Sequence, residues 1–289
     1  MSLLFGAIQQ GCFYGIVSMG VFLSFRILRI PDLTADGAFT LGGSIGASLI
    51  LAKQPLLALP ASIIAGCCAG FVTAFLQVKM RVLPILAGIL TMSGLYTVNL
   101  AVQGGVPNLS LLREKTIFSF FSFLSRKESK FLWPLLCCLV AVLVLTLFLH
   151  TEKGLEIRCV GTNPNMARAQ GINVGLVKTL TLMLSNGCIA FAGCLASQYQ
   201  GYSDINSGTG TLLIGLSGLI LGETIFPKVR FSLKLLAVVV GAIIYQLVIA
   251  LVIRYSFFPA YGFKLLSACL IAVLIGFSKR KNGERENLE

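Results

Sequence analysis

Two carboxylates, a proline and several glycines interrupt an otherwise apolar stretch: Ile30-Pro31-Asp32-Leu33-Thr34-Ala35-Asp36-Gly37-Ala38-Phe39-Thr40-Leu41-Gly42-Gly43. Hydrocarbon offers no water to a carboxylate or an unpaired amide. Such a break is tolerated in an apolar bundle only where protein or a watery cavity surrounds it. Residues of these types suit the passage of a polar solute rather than bond making. Asp36 is the strongest candidate to face the cavity. Its local alternative is to cap the helix that begins beside it, where the helix dipole favours an anion. Tyr14, Thr40, Thr91, Ser93, Asn99 and Asn186 also lie in or beside apolar segments. They line the pathway or hydrogen-bond between helices, a role worth roughly 0.6–2 kcal/mol each. Glu223 is expected to stay solvated or to pair with Lys228. No carboxylate pair, triad or metal-ligand set of the kind catalysis needs is present, and His150 is the single histidine. Neither an enzyme nor a bound metal or cofactor is expected.

The elements that hold these residues are membrane helices. The 289 residues are 56% hydrophobic and 12% charged, and the mean hydropathy is +0.88. A water-soluble chain of this length needs more polar surface than that. The net charge of +12 sits in short loops and at the C-terminus, which suits lipid head groups and membrane orientation. Nucleic acid is not an expected partner, because no basic patch with an aromatic platform occurs. The nine cysteines lie mostly in apolar runs and read as small packing residues rather than a disulfide framework. The first apolar run lacks a basic leader and cleavage site, and reads as a retained helix.

Nine spans are expected, at about 3–24, 36–52, 57–78, 83–103, 131–150, 176–197, 210–222, 232–254 and 258–277. The fold class is therefore all-α: a polytopic bundle with residues 1–278 in the membrane domain and 279–289 as a cytoplasmic tail. With the N-terminus outside and the C-terminus inside, 15 of the 23 Lys and Arg residues fall on the inner side and 8 on the outer, the bias that membrane insertion favours. The loop 104–130 is discordant, with five basic residues outside. It reads as a short interfacial helix around Thr116–Leu124 carrying Phe118, Phe120, Phe121 and Phe123, or as a loosely packed aromatic loop.

The second and seventh segments are short and rich in glycine, and each follows an acid. Asp32–Ala47 leads into Phe39-Thr40-Leu41-Gly42-Gly43-Ser44. Asp204–Gly222 passes Asn206, Ser207, Gly208 and Gly210 into Leu212-Leu213-Ile214-Gly215. The expected topology runs them in opposite directions, as in an inverted repeat whose broken helices flank a pathway. Gly11/Gly15, Gly42/Gly46, Gly66/Gly70 and Gly218/Gly222 have the four-residue spacing that lets helix backbones approach closely.

The longest inner loop, 151–175, carries its own helix signals. Asn163 can cap, Pro164 suits the first helical position, and Gly171 can end the helix in a left-handed turn. Between them lie Asn165, Met166, Ala167, Arg168, Ala169 and Gln170. Two turns are not stable alone in water. The helix must pack under its own bundle or insert into a soluble partner.

With three stretches the chain resembles the permease subunit of an ABC importer. They are Gly15–Phe25 leading into the Pro-Asp-Leu-Thr-Ala-Asp-Gly element; Gly154-Leu155-Glu156-Ile157-Arg158-Cys159-Val160-Gly161-Thr162-Asn163 with Ala167 and Gly171-Ile172-Asn173; and Gly208–Gly222. The family is that of branched-chain amino-acid permeases, and the subgroup is the one associated with tryptophan or tyrosine uptake. The resemblance implies that Pro164–Gln170 is a coupling helix docking on an ATP-binding cassette subunit. It also implies two permeases, copies of one chain, facing each other across a central pathway, an extracytoplasmic substrate-binding protein, and a bacterial inner membrane. Independently, no G-x-x-x-x-G-K-S/T phosphate loop occurs, so ATP drive must come from another chain. The alternatives are an ion-coupled secondary carrier, which would need an ion cage at mid-membrane, or a membrane scaffold without cargo.

Overall fold

In a computed structural model the described residues are 2–112, 114, 116–117 and 126–254, with the isolated positions 269, 272 and 276. The expected ninth segment, the aromatic residues 118–124 and the tail 279–289 lie outside them, apart from those three positions.

The described chain is almost entirely helical. Helix α1 (Ser2–Val21) passes directly into a π-helical turn, Phe22–Ile27. Then come α2 (Ala35–Leu51), α3 (Pro55–Val78), α4 (Pro84–Val102) and α5 (Arg126–His150). Two short helices, α6 (Glu152–Thr162) and α7 (Pro164–Ala169), precede α8 (Val174–Gln200), α9 (Thr211–Ile225) and α10 (Phe231–Arg254). Among the described residues six helices are long and apolar enough to cross a membrane, while α2 and α9 are shorter apolar helices. This is a polytopic helical membrane protein. Pro55 and Pro84 open α3 and α4, where a missing N–H costs nothing.

Helices α1 and α8 are the most buried of the long helices, and α8 makes the widest contacts. It is packed against α2 and α3 on one side and α1 on another, and α10 lies against α1 and α9. The glycine pairs make these approaches. A side chain at Gly42 or Gly46 would strike Ala190 or Cys194 of α8, and one at Gly66 or Gly70 would strike α8 backbone. Gly11 and Gly15 meet Ile243 and Val239 of α10, and Gly218 and Gly222 meet Ala242 and Ala237. All four pairs therefore sit at close helix contacts. The outward faces of α3, α4 and α5 keep Leu56, Ile64, Leu86, Leu139 and Leu143 exposed, as a lipid-facing surface requires.

The two ends differ. At one end lie α6 and α7. At the other, β1 (Asn108–Ser110) pairs antiparallel with β2 (Tyr202–Asp204), Leu109 opposite Ser203. This ribbon joins the segment after α4 to the segment after α8 and was not expected from the sequence. Gln103 fastens it, donating from Nε2 to Ser44 Oγ at 2.8 Å and to Ser203 Oγ at 2.9 Å.

Candidate functional site

The segment 28–34 does not end outside the bundle. It climbs back beside α8, and Asp32, 1% exposed, anchors it. Asp32 Oδ1 accepts from the Thr34 amide at 3.0 Å, and Oδ2 accepts from Asn186 Nδ2 at 2.7 Å. The same Asn186 amide donates to Leu182 O at 3.0 Å. Asn186 sits midway along α8, so the chain re-enters the bundle to about half its depth before α2 begins. The Thr34 hydroxyl contacts Thr73 Oγ1 of α3 at 2.7 Å. Neutral donors hold the Asp32 carboxylate: the ion pairs among the described residues, Arg26–Glu223 and Lys153–Glu156, do not include it.

The connection 205–210 enters from the opposite end. Asp204 Oδ1 accepts from the Asn206 amide at 2.7 Å, the same turn that Asp32 makes with Thr34. The chain then crosses the first turn of α2 so closely that a Cβ on Gly208 would lie 2.0 Å from Asp36 O. The Gly208 amide donates to Thr40 Oγ1 at 3.1 Å. Gly210, at φ 93°, turns the chain into α9 and brings no side-chain cap.

Asp36 supplies that cap from another helix. Its Oδ2 accepts from the Gly210 amide at 2.9 Å, and its Oδ1 accepts from the Leu212 amide at 2.8 Å and the Thr211 hydroxyl at 3.0 Å. The carboxylate therefore satisfies the free amides of α9 and faces its positive end. Its expected local alternative, capping its own helix, is replaced by this contact across the bundle. The N-termini of α2 and α9 meet at Asp36, and the two helices run from there to opposite ends. The far end of α2 lies beside the ribbon, where Ala47 and Ile50 pack on Leu111. The far end of α9 lies at the α7 end, where Glu223 Oε1 meets Arg26 Nε at 2.6 Å. That pairing corrects the expectation that Glu223 stays solvated or meets Lys228.

A recess of about 360 Å³ opens beside this junction. Asp36, Gly37 and Thr40 of α2 form one wall, and Ile205, Asn206 and Thr209 another. Met92, Ser93, Tyr96 and Asn99 form the third. Their spacing puts them along one face of α4, from the middle of that helix to its last turn. Of the expected pathway residues, Asp36, Thr40, Ser93 and Asn99 come together here. Three lie elsewhere. Tyr14 stacks on Phe39 at 6.2 Å between ring centroids. Thr91 is buried, with its hydroxyl donating to Ala87 O. Asn186 is fully buried against Asp32. Tyr96, a polar residue of the same expected span, also lines the recess, whereas sequence reasoning missed Met92 as a wall residue; its four-residue step to Tyr96 was the available signal.

At the α7 end the helix signals are realised. Asn163 Oδ1 accepts from the Asn165 and Met166 amides at 3.0 and 3.1 Å, Pro164 opens α7, and Gly171 adopts φ 81°. Ala167 is buried, while Met166 is 60% exposed and Asn165, Arg168, Ala169 and Gln170 are exposed. The loop 151–175 also contains α6, which the sequence reading did not find. Thr151 caps it, and Gly154, Ile157, Val160 and Gly161 form its buried face. A Cβ on Gly161 would lie 1.7 Å from Ile27 O, so α6 is pressed against the π-helical turn. Arg158 donates to Leu149 O and lies 3.8 Å from the ring centroid of Phe231. This ties α6 to the end of α5 and the start of α10.

A family model described as "Branched-chain amino acid transport system / permease component" matches residues 3–275. The chain is 36% identical over 276 residues to the tyrosine transport system permease protein of Clostridioides difficile, an alignment covering 95% of this chain and 91% of that protein. It is 26% identical over 223 residues to the ribose import permease protein RbsC of Escherichia coli, covering 76% and 69%. It is 25% identical over 227 residues to the probable branched-chain amino acid transport permease protein LivH of Methanocaldococcus jannaschii, covering 73% and 70%. No solved structure matches the chain.

Proposed function

Since this chain belongs to the branched-chain amino-acid permease family of ABC importers, we propose that it carries an amino acid, aromatic or branched-chain, past the junction of α2 and α9. The observation that carries this reading is the meeting of two short helices at Asp36 beside a recess walled by the C-terminal half of α4. Broken helices converging at mid-depth are how inverted-repeat transporters build a solute site. The matched Asx turns at Asp32 and Asp204 and the opposed directions of α2 and α9 support an inverted repeat. A ninth span over 258–277 would complete the bundle and return the C-terminus to the cytoplasm. The relative from Clostridioides difficile, described as a tyrosine transport permease, favours an aromatic amino acid.

In this reading the α7 end faces the cytoplasm of a bacterial cell, and the N-terminus and ribbon face outward. Met166 and its exposed neighbours dock on an ATP-binding cassette subunit, while Ala167 pins α7 to its own bundle. Closure of the ATPase pushes α7 and α6 against the π-helical turn. That turn leads into the segment 28–34 and so into α2, while the Arg26–Glu223 contact connects it to α9. A second copy of the chain would close the pathway, and an extracytoplasmic binding protein would deliver the solute.

The test is uptake by the permease reconstituted with the ATPase and binding protein encoded beside it. Uptake of tyrosine or another amino acid that requires ATP hydrolysis is expected, and deletion of 164–170 is expected to abolish it while membrane insertion persists. Uptake driven by an ion gradient without the ATPase would support a secondary carrier instead.

A further inference from the structure

Asn99 carries an unmet hydrogen-bonding requirement. It is 1% exposed, and its Nδ2 donates to Gly37 O at 3.3 Å. That bond fixes the amide, because turning it over would set carbonyl against carbonyl. Its Oδ1 is thereby directed away from Gly37 O, and it is buried with no hydrogen-bond partner in the protein. A buried acceptor left unsatisfied is costly and calls for an explanation. Asn99 lines the recess, and Asp36 is the one charged residue among those lining it. The Asp36 carboxylate receives three donors, all from the start of α9. An ionised carboxylate has about four lone-pair positions, so one remains to accept. The recess thus offers acceptors and a negative charge with no cation among its walls.

We infer that Asn99 Oδ1 and the Asp36 carboxylate form a subsite for the primary ammonium group of the transported solute. An ammonium is a compact charge with three N–H donors. One fits Asn99 Oδ1, one fits the open position on Asp36, and the third faces the open side of the recess, where water can accept it. Tyr96, 51% exposed at the same wall, offers a flat apolar face to the rest of the solute. A solute lacking the ammonium leaves Asn99 Oδ1 unpaired, which is how a hydrogen-bonding site rejects an analogue. This inference rests on the reading that the recess lies on the solute's route.

The experiment uses the solubilised permease–ATPase complex carrying Ser93→Cys, with labelling by a thiol reagent followed at that residue by mass spectrometry. The probes are millimolar tyramine, which keeps the ammonium of tyrosine, and 3-(4-hydroxyphenyl)propionate, which lacks it. Tyramine is expected to slow labelling and the acid is not. Adding Asn99→Leu is expected to weaken tyramine protection by about tenfold or more, the usual loss for a hydrogen bond to a charged group. If Asn99→Leu does not yield a monodisperse complex, Asp36→Asn takes its place with the same expected loss. Equal protection by both probes, protection by the acid alone, protection by neither, or protection unchanged by the substitutions would overturn the subsite. Failure of the wild-type complex to take up any amino acid with ATP would instead overturn the proposed function.

Discussion

At the residue scale, Asp36 holds α9 and faces the recess at once. Asp36→Asn removes the charge that complements the α9 terminus and is expected to cost about 1–2 kcal/mol, as the loss of a cap does. It is also expected to lower uptake more than Glu223→Gln does. The Arg26–Glu223 pair has side-chain exposures of 58% and 29%, and exposed ion pairs contribute little. Thermal unfolding in detergent and reconstituted uptake read the two effects; equal losses would remove Asp36 from the pathway. The burial of Ala167 separates packing from docking in α7. Ala167→Asp buries an unpaired charge and is expected to destabilise by about 3 kcal/mol or more. Met166→Asp is expected to leave the unfolding temperature unchanged and abolish co-purification with the ATPase. Co-purification of Met166→Asp at wild-type yield would contradict docking through α7.

At the element scale, hydropathy made the helices legible. The expected segments 36–52, 83–103 and 232–254 match α2 (Ala35–Leu51), α4 (Pro84–Val102) and α10 (Phe231–Arg254) to within a residue at each end. Cap chemistry made α7 legible, because Asn163, Pro164 and Gly171 act within a few residues of each other. Helix α6 stayed hidden because its apolar face is narrow and holds two glycines, Gly154 and Gly161, which read as loop residues. The ribbon stayed hidden because each strand is three residues long, too short for an alternating pattern. The GxxxG spacing signalled close helix packing but not the partner. Gly42 meets α8 so tightly that a Cβ would lie 1.8 Å from Ala190 O, whereas nothing lies within 4 Å of the position a Cβ would take at Gly94. Gly42→Ala is therefore expected to cost more than about 3 kcal/mol and to lower folded yield. Gly94→Ala, on an exposed face of α4, is expected to be neutral or to gain up to about 1 kcal/mol from helix propensity. Fluorescence-detected gel filtration after graded heating ranks them, and equal melting would contradict the α2–α8 contact.

At the scale of the whole molecule, the site is built by long-range contacts. Asp36 was singled out by its charge in an apolar run, but its partners at Gly210 and Leu212 lie 174 and 176 residues away. No local pattern reveals that pairing. It appears only when the two short helices are brought end to end by α8 on one side and α1 on the other. The same arrangement explains why Asn186, expected in the pathway, serves the scaffold: it holds the re-entrant segment at the depth where α2 must start. In the proposed reading, movement of α7 would reach this junction through packed backbone, from Gly161 against Ile27 and on through 28–34. The central claim is that solute passes the α2–α9 junction. Its most direct test is ATP-driven uptake by complexes carrying Ser93→Cys in the recess or Leu143→Cys on the outward face of α5, each treated with a bulky thiol reagent in a background where exposed Cys68, Cys159 and Cys269 are replaced by serine. The account expects modification of Ser93→Cys to stop uptake, the transported amino acid to slow that modification, and modification of Leu143→Cys to change nothing. Full uptake with the Ser93→Cys thiol completely modified would contradict it.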